Sequence, residues 1–254
     1  MMLELGVTLI VISFVCEYID STLGGGYGTI LTPVMLIAGF DPLAVVPAVL
    51  VAEIFSGIGA GITHYRLGNV HFGQGKGHLR TVGVLVACSI VGTVAAVLIA
   101  INLPTIILKT YIALLVTAVG LAILLTMNKT FGFSWKKIVG LGTLAAFNKG
   151  ISGGGYGPVV TGGQMLSGMK SKYAVGITSL SEGLVCVVGV IVYMLFAGNI
   201  IDWSLVPFMT IGALLSVPLA GLTIKRLKTE KLRLYIGIVT VVLGSFTLVK
   251  IFFL

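Results

Sequence analysis

Leu23-Gly24-Gly25-Gly26-Tyr27-Gly28 and Ser152-Gly153-Gly154-Gly155-Tyr156-Gly157 place the run Gly-Gly-Gly-Tyr-Gly twice in one chain, each time inside a long apolar stretch. The two copies lie 129 residues apart, close to half of the 254-residue length. The same offset carries Glu53 onto Glu182, Thr32 onto Thr161, Gly83 onto Gly212 and Gly92 onto Gly221. A glycine break and a lone carboxylate, both duplicated in membrane-like sequence, predict an internal repeat around a central site. Broken helices in corresponding positions of two halves are the sequence mark of a secondary transporter's binding site.

Composition sets the class. The chain is 57% hydrophobic and 9% charged, with mean hydropathy +1.13. That predicts an all-α integral membrane protein. The Met1-Met2-Leu3-Glu4 start has no basic region, which argues against a cleaved signal peptide. The net charge of +8 reads as loop Lys and Arg retained on one side of a membrane, not as a nucleic-acid surface. Cys16, Cys88 and Cys186 are odd in number and scattered, so they predict packing and neither a disulfide framework nor a metal motif.

Apolar segments fall at about 3–20, 27–38, 43–64, 81–101, 105–127, 137–148, 156–168, 173–197, 203–224 and 232–254. Segments 137–148 and 156–168 are too short to cross singly, at near 18 Å against a core of about 30 Å. They predict a re-entrant hairpin bent at Gly153–Gly155. Loop charge supports this. If each glycine-broken region enters and leaves on one side, 13 of the 16 Lys and Arg residues fall on one face and only Lys109 and Lys250 on the other, with Lys149 at the break. If each broken region crosses once, the split is 7 to 8. Only the first arrangement obeys the positive-inside rule. The expectation is two inverted repeats, residues 1–127 and 128–254, each a glycine-broken helical hairpin plus three transmembrane helices, with both termini outside.

The chemistry-bearing residues gather at the breaks. Gly24, Gly25, Gly26, Tyr27 and Gly28, with Gly153, Gly154, Gly155, Tyr156 and Gly157, are candidate substrate-binding positions. Glycine permits close approach, and the helix starting at each break aims free N–H groups at the midplane, where an anion is favoured. The competing reading is that the glycines only let two tips pack. Asn148, Lys149 and Ser152 complete the candidate set, with Ser21, Thr22, Thr161 and Gln164 nearby; an uncharged polar group of this kind is, taken alone, more often a cap or an interhelical hydrogen bond. Glu53 and Glu182 lie about 15 Å into their helices. They are the candidates for proton coupling, against a structural role at the tips. Asp20 and Lys149 share one repeat position and are a candidate ion pair, unless Lys149 attracts the anion directly. His64, His71 and His78 are spaced by seven and read as solvated or headgroup-facing. Gly83, Gly92, Gly212 and Gly221 read as close helix contacts. Tyr27 and Tyr156 either line the tips or pack.

Other functions fit less well. No Lys-Ser/Thr follows either glycine run, so a phosphate loop is not supported. No nucleophile or metal constellation suggests an enzyme, and no cofactor or metal is expected. The alternative is an ion channel or cation carrier using the Gly-Tyr-Gly segments and the membrane carboxylates.

These residues resemble the TauE/SafE sulfite-exporter family. The resemblance is carried by Leu23-Gly24-Gly25-Gly26 with Thr32-Pro33, by Ser152-Gly153-Gly154-Gly155, by Ala174-Val175-Gly176-Ile177-Thr178-Ser179-Leu180, and by the basic loop Tyr65-Arg66-Leu67-Gly68-Asn69-Val70. It covers essentially the whole chain. It implies a bacterial or archaeal inner-membrane carrier whose partners are the lipid bilayer and a small sulfur-containing anion: sulfite, thiosulfate or an organosulfonate. Association with further copies is left open. Three features depart from the pattern: Pro47-Ala48-Val49-Leu50-Val51 in place of a first Gly-Ile-Thr-Ser-Leu, Gly162 in place of a second Pro33, and the pair Glu53 and Glu182.

Overall fold

The computed structural model describes residues 2–73, 77–126, 134–167, 169–198, 200–224, 226 and 229–253. Among these, the regular elements are ten α-helices: α1 (Met2–Leu23), α2 (Tyr27–Ile37), α3 (Pro42–Arg66), α4 (His78–Ala100), α5 (Thr105–Thr126), α6 (Trp135–Ser152), α7 (Tyr156–Leu166), α8 (Ser171–Ala197), α9 (Val206–Thr223) and α10 (Thr229–Phe253). Each expected segment becomes one helix. Six helices are long and apolar enough to cross a membrane, namely α1 from Glu4, α3, α4, α5, α8 and α9. A shift of 129 residues maps the bounds of α2 onto those of α7.

The leading arms are longer than expected. α6 does not stop at residue 148 but continues through Asn148 and Lys149 to Ser152, 18 residues or about 27 Å. Hydropathy alone ended the segment at its polar residues. The helix continues because tertiary partners satisfy them. It ends where Gly153 turns left-handed (φ 70°) and its N–H returns to Lys149 O at 2.8 Å. Gly24 (φ 76°) ends α1 in the same way, donating to Asp20 O at 2.6 Å. At the start of α3, Asp41 accepts from Leu43 N at 2.8 Å and Pro42 occupies the first turn.

Helices at equivalent repeat positions pack on each other. α3 and α8 meet through small residues: a methyl on Gly57 would lie 3.0 Å from Gly183 Cα, one on Gly61 2.7 Å from Leu180 Cβ, and one on Gly189 2.8 Å from Leu50 Cδ1. As numbers rise along α3 the contacts fall along α8, so the two run antiparallel. The α5–α10 pair does the same, with Gly120 against Val241, Gly237 against Leu124 and Gly244 against Thr117. α1 packs on α9, and α4 on α6. Gly92 abuts the Thr143 carbonyl, Gly212 the Ile10 carbonyl and Gly221 the Leu67 and Thr63 side chains, as close-packing glycines should. Gly83 is a correction: it is exposed and a methyl there would meet nothing within 4 Å.

One face carries the ends of α3, α5 and α9 and the starts of α4, α6 and α8. Arg66, Arg80, Lys136, Lys137, Lys170, Lys172 and Arg226 lie there, with Arg80 over the Trp135 ring at 5.2 Å. At the opposite end Lys250 Nζ donates to Ile37 O. Lys76, Lys129, Lys225 and Lys228, which also enter the loop-charge expectation, lie outside the described residues.

A bulky residue at the α3–α8 contact should be costly. Gly183→Val is expected to lower stability by about 1–3 kcal/mol through overpacking against Gly57 and Ile58. Gly83→Ala should stay within about 0.5 kcal/mol of the parent. Melting of the two purified variants in detergent compares them directly.

Candidate functional site

Lys149, in the last turn of α6, extends its side chain between α3 and α8. Its ammonium donates to Glu53 Oε2 and to Glu182 Oε1, the latter at 2.8 Å. All three residues are 1–3% exposed, so the triad is sealed from water. Glu53 Oε1 and Glu182 Oε2 have no partner among the described residues. The ion pair expected between Asp20 and Lys149 is replaced by a different arrangement. Asp20 folds back onto its own hairpin, where Oδ1 accepts from Tyr27 N at 3.2 Å and caps the first turn of α2. Lys149 has the longer stem and reaches the two glutamates instead. Asp20 stays close: one oxygen each from Asp20, Glu53 and Glu182 lies within 4.8 Å of the others. Glu17, equally buried, accepts from Ser21 Oγ at 2.5 Å and Ser56 Oγ at 2.9 Å.

The glycine tips cross in backbone contact. A methyl on Gly28 would overlap the Gly153 carbonyl, and one on Gly154 would lie 2.5 Å from Thr29 N. One on Gly157 would lie 2.5 Å from Gly25 Cα. Only glycine fits there. Gly155 N–H donates to Thr29 Oγ1 at 2.9 Å, and Thr161 Oγ1 donates to Gly24 O at 2.6 Å. Thr178 Oγ1 accepts from Gln164 Nε2 at 2.9 Å. Ser152 bonds within its own tip, to Asn148 O at 2.7 Å. In this conformation the space directly between the tips is closed. Tyr27 and Tyr156 are buried packing residues, and Tyr27 OH donates to Ser13 Oγ at 2.7 Å.

Carbonyls freed where α1 and α6 end are held from the spanning helices. His64 Nε2–H donates to Ser21 O at 2.8 Å, while Asn69 Nδ2 donates to His64 Nδ1 at 3.1 Å and to Gly221 O at 2.8 Å. In the other hairpin Tyr193 OH donates to Gly150 O at 2.8 Å. Ser21 and Gly150 are 129 residues apart, as are His64 and Tyr193. Sequence reading missed this pair because the bond recurs with unlike residues. His64 is fully buried, not solvated; His71 and His78 lie half-buried beside Tyr173.

A cavity of 380 Å³ lies beside the crossed tips, between α5, α6 and α7. Of the expected binding residues, only Gly24, Gly25 and Asn148 line it. It runs along α5 from Leu115 to Thr126, about 17 Å, and ends at the α1 tip. Asn148 is 5% exposed; its Oδ1 accepts from Tyr111 OH at 3.1 Å, and its Nδ2 has no partner among the described residues.

Residues 9–247 match the family model described as sulfite exporter TauE/SafE. The chain belongs to the TauE/SafE family. It is also similar to the probable membrane transporter protein YtnM of Bacillus subtilis (strain 168), with 25% identity over 257 residues covering 95% of this chain and 83% of the relative. No solved structure matches it. This TauE/SafE protein is a membrane transporter and not an enzyme.

Removing one member of a buried ion triad leaves uncompensated charge. Lys149→Met is expected to lower stability by about 3–5 kcal/mol. Adding Glu53→Gln and Glu182→Gln to it should restore most of the loss. A thermal-shift comparison of the single and triple variants measures both effects.

Proposed function

We propose that the protein is a secondary transporter that moves a small sulfur-containing anion, of the sulfite, thiosulfate or organosulfonate class, across a bacterial or archaeal plasma membrane by proton-coupled alternating access. The observation that carries this reading is a cavity that reaches two crossed glycine tips, beside a sealed ion triad. It extends along α5 toward the basic face, which the positive-inside rule makes cytoplasmic. Both termini are then outside. Residues 1–127 and 128–254 act as inverted halves. The antiparallel packing of α3 on α8 and of α5 on α10, each pair at equivalent repeat positions, supports that assignment.

The crossed tips are the barrier in this state. Rocking one hairpin-bearing bundle against the other would close the cavity and open its counterpart across the membrane. Lys149 occupies the point that such a movement must disturb, because its three-residue triad joins α6 to α3 and α8. Glu53 and Glu182 are the residues assigned to proton coupling. Four buried acids, Glu17, Asp20, Glu53 and Glu182, face one buried lysine, and this excess favours protons as the co-transported cation. A channel fits less well. A filter needs unengaged carbonyls around an open path, whereas Gly24 O accepts from Thr161 and the tips are in contact.

In proteoliposomes, Glu182→Gln is expected to reduce uptake driven by a pH gradient by about tenfold or more, while anion counterflow without a gradient continues. An unaltered pH dependence would overturn the coupling role. Single cysteines at positions 136 and 172 should label only from the cytoplasmic side, and those at 41 and 102 only from outside. Labelling of 136 and 172 from opposite faces would remove the inverted arrangement.

A further inference from the structure

Resting on the transport reading above, we infer that the cargo of this cavity is an organic monoanion with a hydrocarbon body, and that bare sulfite and thiosulfate are poor occupants. The walls carry the first part of the argument. Leu115, Ala118 and Ala122 of α5, Leu141 and Leu144 of α6, and Val159 of α7 make them mostly apolar. An inorganic oxyanion has no apolar surface to set against such walls. It would lose its hydration there and receive little in return.

Size argues the same way. At about 30 Å³ per water in the liquid, the 380 Å³ chamber has room for about a dozen waters. A four- or five-atom oxyanion would leave most of that space empty or wet, against walls that favour neither. The volume is typical of pockets that enclose whole organic molecules.

The polar end is small and fits a single diffuse negative charge. Asn148, a buried residue at the cavity wall, has a donor, Nδ2, with no partner among the described residues. Pro158 and Val159, in the first turn of α7, lie alongside it, and the start of a helix is the positive end of its dipole, which favours an anion. The Thr161 hydroxyl is already used by Gly24 O. Among the described residues no charged side chain lines the chamber, and Lys149 is committed to its two glutamates. A dianion would find no cation among them. One amide donor and a helix start suit a sulfonate head, with its carbon body lying along α5 toward Thr126.

The test is competition in counterflow by the full-length protein in proteoliposomes, with labelled hexanesulfonate as the exchanged anion. Competitors are sulfite, thiosulfate, methane-, butane- and hexanesulfonate, and neutral 1-hexanol. The half-inhibitory concentration should fall about fourfold for each added methylene, with sulfite and thiosulfate weaker than hexanesulfonate by about a hundredfold or more. Asn148→Asp keeps the acceptor for Tyr111 and replaces the donor with an acceptor; it should weaken hexanesulfonate by about tenfold or more. If that variant does not yield monodisperse protein, Ala122→Phe, which occupies the chamber, should flatten the chain-length series. Exchange of sulfite or thiosulfate without competition by hexanesulfonate would overturn this inference and leave the transport reading standing. Competition by 1-hexanol equal to that of hexanesulfonate would overturn the anionic head. Absence of exchange for every anion would overturn both the inference and the reading beneath it.

Discussion

A helix that stops inside a hydrocarbon slab exposes N–H and carbonyl groups that lipid cannot satisfy. This chain stops two helices, α1 and α6, at tips buried within the protein and starts two more there, α2 and α7. The rest of the architecture can be understood as the means of satisfying those ends. Each tip is pressed against the other, so that Thr29 serves the Gly155 N–H and Thr161 serves the Gly24 carbonyl. His64 and Tyr193 hold the carbonyls one turn back. Asp20 caps the helix that follows its own break. Glycine is required because the backbones meet at distances no Cβ would allow.

The scaffold repeats, but the chemistry on it does not. Glu53 and Glu182 recur at the same offset and both reach Lys149, whose own repeat partner is the acid Asp20. Around the first tip the polar groups are Glu17, Ser21 and Ser56; a shift of 129 turns these into Ala146, Gly150 and Val185. Around the second tip stand Asn148, Thr178 and Gln164, whose first-half counterparts are Ile19, Val49 and Met35. One side of the crossing is therefore acidic and sealed. The other is a neutral chamber with an amide at its wall. Equal backbones thus carry unequal side chains, acids on one side of the crossing and an amide on the other.

Much of the fold was legible because lipid imposes long-range order on sequence. Segments at 27–38 and 156–168 became α2 and α7 with ends shifted by only one or two residues, since a glycine run and a loop bound each of them. The α6 arm was misjudged because Asn148 and Lys149 look like a boundary until their partners are known. Glu53, Glu182 and Lys149 stood out as costly charges, yet their grouping did not, because the choice between Asp20 and the glutamates depends on side-chain reach across three helices. His64 gave no signal, since a buried carbonyl partner on another helix has no sequence mark.

By itself the sequence determined the membrane class, the ten helical segments, the doubled glycine breaks and the residues whose burial demands a reason. Those follow from composition, from periodic apolar runs and from a fixed offset. Only the tertiary structure decided that the tips close on each other, that Lys149 joins α3 to α8, and that the open space lies beside Asn148 instead of between the glycines. These outcomes turn on contacts between residues far apart in the chain, where distances of an ångström separate a wet site from a closed backbone crossing.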